Sequence, residues 1–188
     1  MAQVYNNLVI KGLTGSLGRQ LVIKRGKLGR TIVSSRPDFR PDRQFSPAQV
    51  ARQMAFREAC AYGVSARSQE IYIQQAEGTR FTPYNLAVAD WLRPPKIIQL
   101  DLDAWTGQPG KLIRIEALDD VQVKQVTVTI TDLAGTLIEE GPATQIDGLW
   151  WHYTTTATVS APGSLKVIAS AWDLPGHTTQ LTQAVIKT

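Results

Sequence analysis

The spacing of apolar and polar positions changes period twice along this 188-residue chain. From Arg19 to Lys24 and from Arg30 to Ser35 it alternates as strands do, and Gly26 and Gly29 bracket a turn between them. This predicts a β-hairpin with Leu21 and Ile23 on one face and Val22 and Lys24 on the other. Gly12, Gly15 and Gly18 precede it, and they read as positions for tight turns rather than a phosphate loop, since they lead into a strand. Residues 3–9, QVYNNLV, have weak strand character and no local partner in the sequence. Such a segment either frays or is donated to a neighbouring molecule.

At Ser46 the period lengthens to that of a helix. Ser46 as N-cap, Pro47 in the first helical position and Gln49 in a capping box predict a helix from Pro47 to about Tyr62. Val50, Met54, Cys60 and Ala61 fall near one stripe, while Ala51, Ala55 and Ala59 permit close approach of a neighbour. A second helix is expected over about 66–76, ending at Gly78. A third starts with Thr82 and Pro83, runs to Arg93 and is stopped by Pro94 and Pro95.

Beyond Pro95 the two-residue period returns and holds to the end. KIIQLDL, KLIRIEAL, VKQVTVTI, TLIEEG, LWWHYTTT, SLKVIASAW and TQLTQAVI read as strands, with turn signals such as Asp132 to Gly135, Asp147-Gly148 and Pro175-Gly176 between them. Short strands in this number, with no helical pattern among them, predict a two-sheet antiparallel sandwich. Adjacent Trp150 and Trp151 must face opposite sides of their strand, one towards the core and one outward.

Composition narrows the class. Hydrophobic residues make up 43% and charged residues 19%, as in a soluble globular chain, and no apolar run approaches a membrane span. The start, MAQVYNNLVIKGL, lacks the features of a Sec signal, so the chain stays inside, leaves by another route or has lost a leader; the location is open, with the cell exterior or a virion surface favoured. The single cysteine, Cys60, excludes an intramolecular disulfide. The net charge of +4 hides an asymmetry: residues 1–95 hold 14 Lys and Arg against 6 Asp and Glu, and residues 96–188 hold 6 against 10. A basic first half and an acidic second half favour anionic partners or head-to-tail association of copies.

The run IEALDDVQVKQVTVTITDLAGTLIEEG, then GLWWHYTTT, then PGSLKVIASAWDLPGH, resembles bacterial immunoglobulin-like domains. That resemblance implies a sandwich used for binding, spacing or assembly, with no catalytic residues. Trp172 and His177 depart from the usual residues of its last element, and no Cys pair is present. The first half, with its G-x-x-G-x-x-G, basic hairpin and S-P-A-Q-x-x-x-R-x-x-F, is similar to uncharacterised bacterial and phage-associated proteins. The expected fold is therefore an α+β module over residues 1–95, a β-hairpin plus about three helices, followed by an all-β immunoglobulin-like sandwich over residues 96–188.

No constellation in the sequence carries catalysis or a cofactor. Two histidines, His152 and His177, and one cysteine do not make a zinc site, and no nucleophile elbow accompanies them. Asp119, Asp120 and Asp173 sit at strand ends, where sandwich loops converge, but turn-forming carboxylates account for them without calcium. The reading that follows is a non-catalytic structural protein that polymerises with copies of itself into an extracellular filament or surface assembly. Val4, Leu8 and Ile10 would be inserted apolar side chains of a donated strand. Arg19, Lys24, Arg25 and Arg30 would face acidic sandwich surfaces carrying Asp119, Asp120, Glu139 and Glu140. Two alternatives stay open: a virion component or adhesin-type module recognising glycan or protein, and a nucleic-acid binder using the basic hairpin.

Overall fold

The computed structural model describes residues 2–4, 12–25, 31–37, 43–159 and 163–187. They form two compact units, 1–46 and 47–188. The division follows Ser46, and the Pro94–Pro95 pair lies inside the larger unit, where it turns the chain from a helix into a strand.

The first unit is a four-stranded antiparallel sheet in the order β1-β4-β3-β2. Its strands are β1 (Ala2–Val4), β2 (Gly15–Leu17), β3 (Leu21–Arg25) and β4 (Thr31–Ser35). The expected hairpin is the β3–β4 pair, with Ile23 opposite Val33. Ile23 is buried while Leu21, on the same face, is exposed at the sheet margin. The N-terminal segment does have a local partner, contrary to the sequence reading: Ala2, Gln3 and Val4 lie opposite Val33, Ile32 and Thr31. The β4 edge supplies backbone groups that this short segment satisfies, a pairing set by register rather than by any strong apolar pattern.

The second unit begins with three helices, α1 (Pro47–Ala66), α2 (Glu70–Ala76) and α3 (Pro83–Trp91). Helix α1 runs straight through Gly63, and its buried positions are Ala59, Gly63 and Ala66. Val50 and Met54, expected on the buried stripe, are exposed. The reason is close approach to α3: a Cβ on Gly63 would stand 2.6 Å from Val88 Cγ2 and 3.0 Å from the Tyr84 ring. A face of Gly and Ala lets two helices meet at a distance that the Val50–Met54 face would not allow. Thr82 caps α3 as expected, its hydroxyl accepting from the Asn85 N–H at 3.2 Å.

Eight strands follow: β5 (Lys96–Asp101), β6 (Leu112–Leu118), β7 (Gln125–Asp132), β8 (Leu137–Pro142), β9 (Thr144–Asp147), β10 (Trp150–Thr154), β11 (Gly163–Trp172) and β12 (Thr178–Lys187). They form two antiparallel sheets, β5-β6-β10-β9 and β12-β11-β7-β8. This strand order defines an immunoglobulin-like sandwich. The inward positions alternate as the sequence implies: Ile113, Ile115 and Ala117; Val126, Val128 and Ile130; Trp151 and Tyr153; Leu165, Val167, Ala169 and Ala171. Each of the larger side chains contributes about 1.5–3 kcal/mol by leaving water. Trp151 is buried, while Trp150 faces outward with the Arg114 guanidinium 5.6 Å from its ring centre. β9 is a strand the sequence reading did not include.

Candidate functional site

Helices and sandwich meet within the second unit around three carboxylates. Asp90 comes from the last turn of α3, Asp119 from the loop after β6, and Asp173 from the turn after β11. Tyr72 of α2 is fully buried beside them, in a small cluster with Ala66, Ala87, Val121 and Leu174. Gln75 ties α2 to the same loop, its amide donating to the Val121 carbonyl at 2.9 Å.

The hydrogen bonds of this cluster are unequal. Asp173 is fully buried but well supplied: its Oδ1 accepts from the N–H groups of Gly176 and His177 at 2.7 and 2.6 Å, and its Oδ2 meets His177 Nδ1 at 3.1 Å. The His177 ring in turn lies edge-on to Trp91, 4.9 Å away. Asp90 is equally buried and poorly supplied. Its Oδ2 accepts from the Tyr72 hydroxyl at 2.5 Å, and its Oδ1 has no hydrogen-bond partner. Because the Tyr72 hydroxyl donates its hydrogen bond to Asp90, Tyr62 must donate to the Tyr72 oxygen, 2.8 Å away. Asp119 accepts the Asp120 N–H at 2.8 Å on Oδ1, while its buried Oδ2 also lacks a partner.

Burial pushes the Asp90 carboxyl up to about 7; the Tyr72 hydroxyl works against this, and the nearby charges of Asp119 and Asp173 add to it. A position at the negative end of α3 adds in the same direction. Burial also raises Asp119, opposed by the Asp120 N–H and reinforced by Asp173. Burial raises Tyr72 as well, and its bond to Asp90 raises it further.

The residues expected to form an assembly interface scatter. Arg19, Lys24 and Arg25 are exposed on the small sheet, and Val4 pairs opposite Thr31. Leu8, Ile10 and Arg30 lie outside the described residues. Asp120 is at the surface in an ion pair with Arg93, and Glu140 is exposed on β8. Glu139 is not a surface charge: it is buried, and it accepts from the Tyr153 hydroxyl at 2.7 Å, the Thr156 hydroxyl at 2.8 Å, the Thr156 N–H at 2.5 Å and the Ala157 N–H at 3.1 Å. Those donors hold its carboxyl below the usual range although burial alone would raise it. Of the aspartates considered for calcium, Asp119 and Asp173 come together while Asp120 turns to Arg93. Among the described residues no group of three or more His, Cys, Asp or Glu side chains is arranged to hold a metal ion, and no helix is long and apolar enough to cross a membrane.

Sequence reasoning missed Asp90 and Tyr72. One signal was available: Asp90 is the only charged residue in the apolar run NLAVADWL, one turn beyond buried Ala87 and therefore on its face. The open features are elsewhere. All four residues of β9, an outer strand, are exposed, with Ile146 60% accessible. A groove of about 630 Å³ runs beside α1 and α3, lined by Phe56, Phe81, Tyr84, Val88, Leu92 and Val121 among others.

No family model and no curated protein matches the chain. Among solved structures, CopC from Methylosinus trichosporium OB3b is similar at 18% identity and a TM-score of 0.37, over 48% of this chain and 89% of that one. A tetra-tandem repeat in the extending region of a large adhesion protein is similar at 25% identity and a TM-score of 0.35, over 50% of this chain and 23% of that one. A conjugative transposon lipoprotein from Bacteroides eggerthii is similar at 12% identity and a TM-score of 0.27, over 48% of this chain and 92% of that one. Likenesses this loose carry no argument about family, ligand or activity.

Proposed function

We propose that the chain is a non-catalytic structural module that associates with copies of itself, building a filament or surface assembly outside the cell. The observation that carries this is β9, a fully exposed strand that is outermost in its sheet among the described residues and whose backbone edge can accept a strand from another molecule. Opposite charge supports it: the small sheet presents Arg19, Lys24 and Arg25, and the sandwich presents Glu140 on β8 and Asp147 on β9 itself. Contacts between two different surfaces propagate rather than close, which suits a filament. The division at residue 95 enters this reading as a division of charge, basic before and acidic after. Donation of the N-terminal strand, through Val4, Leu8 and Ile10, would first have to break the β1–β4 pairing. The open β9 edge has no such barrier.

The test is particle size by light scattering and negative-stain microscopy, for the full chain, for Ile146→Lys and for a version lacking residues 1–10. A lysine on an edge strand blocks strand addition while leaving the fold intact. Assembly of the full chain, lost in Ile146→Lys, supports the edge contact. Assembly lost only in the truncation moves the contact to the N-terminal strand. A full chain that stays monomeric at low and high salt overturns the reading.

One observation favours a second reading, a glycan- or protein-binding module. Trp150, Arg114, Glu116 and His152 share the outward face of the first sheet, giving an aromatic surface with polar groups around it. Loss of glycan-array signal on Trp150→Ala would support it. For nucleic-acid binding, the exposed basic residues of β3, Lys24 and Arg25, follow Leu21, Val22 and Ile23, and the strand offers no stacking aromatic.

A further inference from the structure

Two buried carboxylate oxygens at the helix–sandwich junction have no donor. Asp90 Oδ1 and Asp119 Oδ2 both lack a partner, and the two side chains lie within hydrogen-bonding reach of each other. Two neighbouring acceptors, both removed from water, repel unless something positive sits between them. The groups facing Asp90 leave few candidates. From α1 comes the Tyr62 hydroxyl, already directed at Tyr72; from α2 comes Tyr72, already directed at Asp90 Oδ2. From the β6–β7 loop come Asp119 and Asp120, the latter paired with Arg93 at the surface. From the β11–β12 turn come Asp173 and His177, bonded to each other. Among the described residues no arginine, lysine or histidine forms an ion pair with either carboxylate, and none offers a metal-holding group.

We infer that Asp90 and Asp119 share a single proton, and that losing it loosens α3 from the β6–β7 loop, so that the seating of the helices on the sandwich depends on pH. The arrangement is the familiar one of two carboxyls that cannot both ionise at contact distance. The raised Asp90 pKa, about 7, fits this geometry. The sign follows from linkage. A carboxyl whose folded pKa lies above its unfolded value holds more protons folded than unfolded between the two. Its contribution is fully present below the unfolded value, 3.8, and is lost as pH rises through about 7. Most carboxylates act in the other direction, so this junction is tightest in mild acid.

The test is thermal melting of the full chain, Asp90→Asn and Asp119→Asn at about pH 5 and about pH 8. An asparagine at either position supplies permanently the donor that the proton supplies only in acid. The wild-type midpoint should fall by about 5 °C between the two conditions. Both variants should lose at least half of that fall and melt above the wild type at the higher pH. A variant that does not fold leaves the other to decide. Hydrogen exchange in residues 83–92 of the wild type, corrected for intrinsic rate, gives a readout without mutation: protection should drop at the higher pH. Parallel melting profiles, an asparagine variant less stable than wild type at the higher pH, or unchanged protection overturns the inference. So does a rise in the wild-type midpoint on adding millimolar calcium at the higher pH, absent in Asp90→Asn, which would place a cation where the proton is drawn.

Discussion

Glu139 and Asp90 are both buried carboxylates, and their surroundings drive them in opposite directions. Glu139 sits at the β8 end of the sandwich with four donors on its two oxygens and a carboxyl held below its usual range. Asp90 sits at the helix junction with one donor, an orphaned oxygen and a carboxyl raised to about 7. Asp90 is the more deeply buried of the two, and burial raises both. The supply of N–H and O–H groups differs as well, and donors decide whether a buried acid keeps its charge. The sandwich end is built as a fixed ionic clamp, and the junction as a joint that holds a proton.

The comparison is tested most severely by Glu139→Leu. It leaves four donors unanswered in a dry site and should cost about 3 kcal/mol or more in urea unfolding. The same change at Asp90, where one tyrosine hydroxyl loses its acceptor and a repulsion disappears, should cost at least 1 kcal/mol less. If the two losses are equal, donor supply is not what separates the sites. Next in size is Gly63→Val, which forces α1 away from Val88 and Tyr84. It should cost about 1–3 kcal/mol and loosen the junction without altering the pH response of the sandwich end.

The pH profiles separate the two acids further. Glu139, with its depressed folded pKa, contributes stability above its unfolded value of 4.5 that disappears as pH falls below it. Melting of Glu139→Gln should therefore be flatter than wild type on the acid side only, whereas Asp90→Asn flattens the profile towards neutral and mildly alkaline pH. The smallest effect on folding belongs to Ile146→Lys on exposed β9. Its unfolding midpoint should shift by no more than about 0.5 kcal/mol while particle size changes.

Most of the sandwich could be read from the chain because its signal is local. Two-residue alternation separated by Asp-Gly and Pro-Gly turns specifies strands one at a time, and Ile113, Val128 and Val167 point inward as their spacing requires. β9 escaped because Thr-Gln-Ile-Asp has one apolar residue and no alternation to detect. The α1 face escaped for another reason: the sequence holds two stripes, Val50–Met54 and Ala59–Gly63–Ala66, and only the shape of α3 selects the smaller one. Glu139 was half legible. Of two adjacent glutamates in a strand one must point inward, but only its register opposite buried Ile130 says which. The Asp90–Asp119 contact joins residues far apart in sequence and depends on how α3 meets a loop, which no local pattern records.

The longest ladder among the described strands lies at the β12 margin of the second sheet. The chain enters through β5 at one margin of the first sheet and leaves through β12 at a margin of the second. β12 is joined to β11 by ten register pairs from Thr178 to Lys187. A pull directed along β12 would load these pairs in parallel, so that they give way together instead of peeling one by one. Such a unit in a chain of identical units would transmit tension, with a lifetime set by its rate of forced unfolding.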